Sequence, residues 1–197
     1  MFKRFLSILL LLFLFITTFN NINISVFATD QSDLIKTIEI NNFKKYNDNF
    51  YRGAKPKTED QYNDLKALGV KTIIDLRSRY GVAKKLKARK RAEKYGFKYI
   101  SIPLVPTKPP NKKQVDEFLK IVNDPEYQPV YIHCTYGQDR TGVMSALYRL
   151  EHDNWSYNQA YEEMVDLGYR QRLYWKLKRF LKNYYDDKQQ TQQINDE

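Results

Sequence analysis

The 197-residue sequence holds a single cysteine, Cys134, so no internal disulfide can form, and Cys134 lies too far inside the chain for lipid attachment beside an export signal. Only two histidines, His133 and His152, accompany it, too few ligands for an ordinary zinc site; no metal or other cofactor is expected. Seven glycines and seven prolines exclude collagen-like and low-complexity chains. The longest near-continuous apolar run, Phe5 to Phe19, has 15 residues, short of the ~20 a helix needs to cross a bilayer. Acidic residues are in the minority, 23 against 33 Lys and Arg, and the net charge of +10 attracts anions without choosing among them. No nucleic-acid-binding module accompanies that charge, so nucleic acid is not an expected partner.

Aromatic residues are plentiful: 16 Tyr and 11 Phe, with 42% apolar residues in all, supply the core of one packed domain. The cationic start Met1-Phe2-Lys3-Arg4, the apolar run and the small residues of Val26-Phe27-Ala28 spell a secretory signal cleaved near Ala28. An anchor that is never cleaved is the alternative. Residues 29–48 read as a polar lead-in, 49–185 as the folded domain and 186–197 as a frayed polar tail. A monomer is expected.

Within the domain, Phe50-Tyr51-Arg52, Val70 to Leu76, Tyr99 to Ile102 and Val130-Tyr131-Ile132 read as strands. Thr58 with Gln61, and Ser156 with Gln159, open helices through capping boxes, and Gly69 and Gly168 stop them. Further helices are expected over 81–95, through Val115, Phe118, Leu119 and Val122, just past Arg140, and through Leu173, Leu177, Phe180, Leu181 and Tyr184. Strands alternating with helices predict a single α/β domain: a mainly parallel sheet of four to five strands flanked by helices, with a helical C-terminal third.

In such sheets ligands bind beyond the carboxyl ends of strands. There the sequence reads His133-Cys134-Thr135-Tyr136-Gly137-Gln138-Asp139-Arg140-Thr141-Gly142. The N–H groups of a curled loop, a helix N-terminus and a two-pronged Arg140 suit a phosphate group. The same field stabilises a thiolate at Cys134 and makes it a nucleophile. Thr135, Tyr136, Gly137, Gln138 and Arg140 are the candidate substrate-binding residues.

This segment resembles the signature of the cysteine-dependent protein tyrosine and dual-specificity phosphatases: His-Cys, five residues, Arg, then Ser or Thr. Phe50 to Pro56 and Lys71 to Arg77 are similar to the opening of the atypical dual-specificity members of fungi, plants and bacteria. The resemblance implies that Cys134 forms a phosphocysteine, Arg140 clamps the transferring group, Thr141 steadies the thiolate and His133 orients the loop. It also implies a general acid, yet Ile102 to Pro110, where larger relatives keep an aspartate, has no carboxylate. Asp139 is the favoured candidate, in an arrangement similar to that of lipid-active and bacterial members; Asp116 is the second.

The expected substrate is a phosphotyrosine or dual-specificity phosphoprotein, or a singly phosphorylated metabolite, because the loop carries no lysine of the kind that meets additional phosphates in relatives acting on inositol phosphates. Inositol phosphates or pyrophosphates, and a non-catalytic phosphate-binding protein, stay as alternatives. The basic run Lys84, Lys85, Lys87, Arg89, Lys90, Arg91 and Lys94 reads first as a solvated helix face and second as attraction to an anionic surface.

Overall fold

Four short apolar runs, each separated from the next by a helix, can pair only in parallel, and the computed structural model, which describes residues 31–78 and 81–195, bears out this α/β arrangement. The expected secretory signal lies outside the described residues. The chain divides into two units, Met1–Ile38 and Glu39–Glu197. The described part of the first carries a helix over 31–37, α1. In the second, β1 (Lys44–Asn47), β2 (Phe50–Ala54), β3 (Thr72–Arg77), β4 (Lys98–Leu104) and β5 (Val130–Cys134) form a sheet in the order β1-β2-β5-β3-β4. Only the edge strand β1 is antiparallel to its neighbour.

Between the strands lie α2 (Glu59–Ala67), α3 (Val82–Lys94) and α4 (Lys112–Asn123); after β5 come α5 (Asp139–His152), α6 (Tyr157–Asp166) and α7 (Trp175–Asn195). Both expected capping boxes form, on α2 and α6, and Asn111 with Gln114 makes a third on α4. Helix α4 turns Val115, Phe118, Ile121 and Val122 into the core, while α5 is buried almost all round. A helix enclosed in this way is the axis on which the others pack. One face of the sheet, with Phe50, Ile74, Leu76, Ile132 and Cys134, joins α4, α5, α6 and α7 in the main core. The alternate residues Tyr51, Ile73 and Tyr131 are buried on the other face.

Three boundaries differ from the sequence reading. The lead-in is ordered from Glu39 onward: Ile40 is buried and Lys44–Asn47 pairs with β2. β4 runs on through Pro103 to Leu104, which a proline permits because β4 is an edge strand and needs no ladder donor there. The polar tail is helical to Asn195, held by Lys182–Asp186 across one turn at 2.6 Å and by Lys188, which meets Glu151 at 3.1 Å and the Leu150 carbonyl at 2.6 Å. Leu173, expected on that helix, precedes it and is exposed.

A buried ionic cluster fixes β1 to the helical layer. Glu163 on α6 accepts hydrogen bonds from Lys44 at 2.7 Å, from Arg149 of α5 at 3.0 Å and from the Tyr46 hydroxyl, and Arg149 lies 3.7 Å from the Tyr46 ring centroid. Burial raises the Glu163 pKa, but the donors Arg149, Lys44 and Tyr46 outweigh it and hold the carboxyl below its ordinary value. A carboxylate depressed in the folded state adds stability above its unfolded pKa, and that stability is lost as pH falls through the folded value. Glu163→Ala is therefore expected to cost about 3 kcal/mol at neutral pH, the scale of breaking a buried ion pair. The difference from the unsubstituted chain should shrink as the pH is lowered below about 4, as measured by urea unfolding across a pH series.

Candidate active site

β5 is the middle strand, so its carboxyl end opens at the centre of the sheet with α5 pointing back toward it. Cys134 ends the strand, residues 135–138 form the loop, and the α5 N-terminus closes it, which directs a helix dipole at the sulfur. Cys134 is only 3% exposed. Burial by itself pushes the thiol pKa up, but the Thr141 hydroxyl, the Arg140 charge and the N–H groups of Thr141 and Tyr136 outweigh it and leave the pKa below its ordinary value. The Thr141 hydroxyl is buried without an oxygen or nitrogen partner, which leaves its dipole to the sulfur.

Arg140 donates to the Thr135 hydroxyl at 3.1 Å, which holds the guanidinium across the loop. Gly137 sits at φ 72° against the end of β2, where a Cβ would lie 2.6 Å from the Ala54 nitrogen; both facts demand glycine. Gln138 precedes α5, and its amide packs on Gly168 at the end of α6, where a Cβ would strike it. Tyr136 is 57% exposed at the rim.

His133 faces away from the sulfur, as alternation along a strand requires. Burial lowers its pKa despite the nearby Asp75, so the neutral ring donates from Nδ1 to the Cys134 carbonyl at 3.1 Å. Asp75 lies 3.9 Å from the same nitrogen and is held by Arg77 and by the Tyr99 hydroxyl at 2.6 Å. Burial opposes ionisation of Asp75, and the Arg77 guanidinium and the Tyr99 hydroxyl overcome it, keeping the carboxylate below its ordinary pKa.

The acid role expected of Asp139 meets a carboxylate already occupied. It is buried at the start of α5, where Oδ1 accepts from the Arg170 backbone N–H at 2.9 Å and Oδ2 from the Arg170 guanidinium at 3.1 and 2.5 Å. Both carboxylate oxygens of Asp139 are therefore taken up by Arg170 in this bidentate pair. Asp116 lies on the exposed face of α4, paired with Lys112 at 2.7 Å. Both candidate carboxylates are thus paired with basic side chains.

Two residues missed at the sequence level shape the loop. Asn42 donates from Nδ2 to the Tyr136 carbonyl at 2.8 Å, and the fully buried Arg52 of β2 donates from Nη2 to the Gly137 carbonyl. Because C=O and N–H of a trans peptide point in opposite directions, pinning these carbonyls outward turns the N–H groups of Gly137 and Gln138 toward the loop interior. The signal for Arg52 was an arginine inside a strand of otherwise small or apolar residues. Asn42, in a polar stretch, offered none.

A recessed, acidified thiol beneath a ring of backbone donors and an arginine is the site of a cysteine-dependent phosphatase. Residues 18–179 match the model of the family described as DSP-PTPase phosphatase fused to NAD+ kinase, and the chain belongs to that family. Among solved structures, the core catalytic domain of the PP-IP phosphatase SIW14 from S. cerevisiae, in complex with citrate, is similar with a TM-score of 0.62 and 22% identity, over 80% of this chain and 93% of that one. TpbA from P. aeruginosa is similar with a TM-score of 0.60 and 21% identity, over 72% of this chain and 84% of its own. TpbA in complex with pTyr has a TM-score of 0.59 and 20% identity, over 72% and 83% of the two chains. At these identities the likeness is one of fold. No curated protein matches the chain significantly.

Replacing Arg52 by Met should weaken vanadate binding about tenfold or more, the worth of a ~1.5 kcal/mol hydrogen bond from a charged donor. It should also raise the Cys134 pKa, read from thiolate absorbance across a pH titration. Arg52→Lys, which keeps a charged donor, should recover most of the affinity; equal loss in both variants at equal stability would deny Arg52 this positioning role.

Proposed function

We propose that the protein hydrolyses phosphate esters that have good leaving groups, with phosphotyrosine as the first substrate class, through a phosphocysteine intermediate. The observation that carries this reading is the exposed Tyr136 ring on the same loop whose thiol is recessed, with the Arg170 guanidinium 5.8 Å from the ring centroid and 4.9 Å from that of Tyr174. An aromatic and guanidinium rim above a buried nucleophile suits a flat aryl group that reaches down to it.

In the first step the Cys134 thiolate forms an S–P bond while the P–O bond to the leaving group breaks. Arg140 and the loop N–H groups bind the equatorial oxygens, where charge spreads in the transition state. Water then attacks the phosphocysteine, releasing phosphate and restoring the thiolate, with Thr141 stabilising the departing sulfur. Asp139, being ion-paired, acts as a positioning residue for Arg170. With both Asp139 oxygens taken up by Arg170, leaving groups that depart as anions are favoured. The same feature favours one second reading, a phosphoanhydride substrate such as an inositol pyrophosphate, whose leaving phosphate also needs no proton. SIW14, similar in fold, is a PP-IP phosphatase.

Export, with cleavage near Ala28, and a monomeric state belong to the same proposal; intact mass and sedimentation of the secreted product test them.

Phosphotyrosine peptide, phosphoserine peptide and inositol pyrophosphate are to be compared by kcat/KM under one condition. Phosphotyrosine is expected to exceed phosphoserine by about tenfold or more, ~1.4 kcal/mol in barrier, and Cys134→Ser to abolish turnover of all. Asp139→Asn should slow aryl esters with good and poor leaving groups alike. A loss of ~10²–10⁴ confined to poor leaving groups would restore Asp139 as the acid.

A further inference from the structure

Between α3 and the carboxyl ends of β3, β4 and β5 the fold leaves a cavity of about 350 Å³, on the sheet face opposite the main core. His133 lines it, whereas Cys134, one residue on, packs into the core on the other side. The cavity is therefore distinct from the loop that holds the thiol.

An amphipathic helix packed on a sheet ordinarily presents apolar side chains at i, i+3, i+4, i+7 and i+8. Helix α3 presents Lys84, Lys87, Ala88, Arg91 and Ala92 to this cavity at that spacing, with Lys85 beside them. The cations, themselves exposed, rim the cavity, and the alanines beneath them leave room. Lys55 adds charge from the sheet side, where Arg77 is paired with Asp75. Among the described residues one carboxylate lines the space, Asp75, and it is already engaged by Arg77 and the Tyr99 hydroxyl. The Arg91 guanidinium lies 5.5 Å from the Tyr62 ring centroid, on the cavity wall, which orders it.

Like charges converging on a concave, partly apolar space repel one another unless an anion joins them. We propose that this cavity is a second anion site, separate from the thiol loop, for a compact polyphosphorylated small molecule. Its volume lies at the small end of the range for ligand pockets, and Lys84, Lys85, Lys87 and Arg91 line it together with Lys55, enough cations for several phosphate groups on one small frame. The basic run thus divides: Lys84, Lys85, Lys87 and Arg91 face the cavity, Arg89 lies 5.9 Å from the Tyr99 ring centroid, and Lys94 pairs with Glu59 at 3.2 Å on the surface.

The test is calorimetric titration of inorganic pyrophosphate into the full chain with the thiol loop saturated by orthovanadate. One equivalent should bind. Affinity should fall about tenfold or more in Lys84→Glu/Lys87→Glu, with vanadate affinity and thermal unfolding unchanged, as expected for losing two phosphate contacts. The control Lys90→Glu/Lys113→Glu makes the same change of net charge at exposed positions outside the cavity, and should bind pyrophosphate as the unsubstituted chain does. Pyrophosphate that binds only when vanadate is absent would make the cavity part of the thiol site and overturn the proposal. Equal weakening in both double variants would reduce it to the general field of the protein and overturn it too.

Discussion

Holding the Cys134 thiol pKa below its ordinary value while the side chain is 3% exposed is the constraint on which the rest of this structure depends. Desolvation works against the charge, and a sulfur at the bottom of a fold is an inert thiol unless fixed dipoles and a cation face it. The solution spans the domain. The middle strand delivers Cys134 to the centre of the sheet edge, α5 turns its N-terminus toward it, and Arg140 and Thr141 lie on the first turn of that helix. Enclosure of α5 on nearly every side keeps the dipole aimed.

The loop between strand and helix depends on contacts from distant parts of the chain. Asn42 and Arg52 draw two successive carbonyls away from the loop interior, and Gly137 is pressed on the end of β2 with no space for a Cβ. Beneath the loop, His133 supports the Cys134 carbonyl and is steadied by the Asp75, Arg77 and Tyr99 group. On its helix side Arg170 holds the Asp139 carboxylate through its backbone N–H and its guanidinium. The residue that the family resemblance marked for proton transfer thus also anchors Arg170. That contact joins residues 31 positions apart in sequence.

The helix that reads as a solvated basic face lines a cavity with four of its cations, Lys84, Lys85, Lys87 and Arg91. Counting charges along a run does not distinguish a surface from a pocket, since helical phase matters only once a second element defines which side is inside.

By itself the sequence determined the alternation of strands and helices, the capping boxes at Thr58 and Ser156, and the motif from His133 to Thr141. Each depends on residues adjacent in the chain or one helical turn apart, so local periodicity and hydrogen-bonding chemistry suffice to reveal it. Tertiary structure alone decided that the lead-in supplies a strand and Asn42, that Arg52 supports the loop, that Asp139 is bound to Arg170 and that the polar tail stays helical against α5. All four depend on a polar group meeting a partner from a distant segment. The free energy of such a contact comes from the burial and geometry that the assembled fold imposes, which no stretch of the chain contains in isolation.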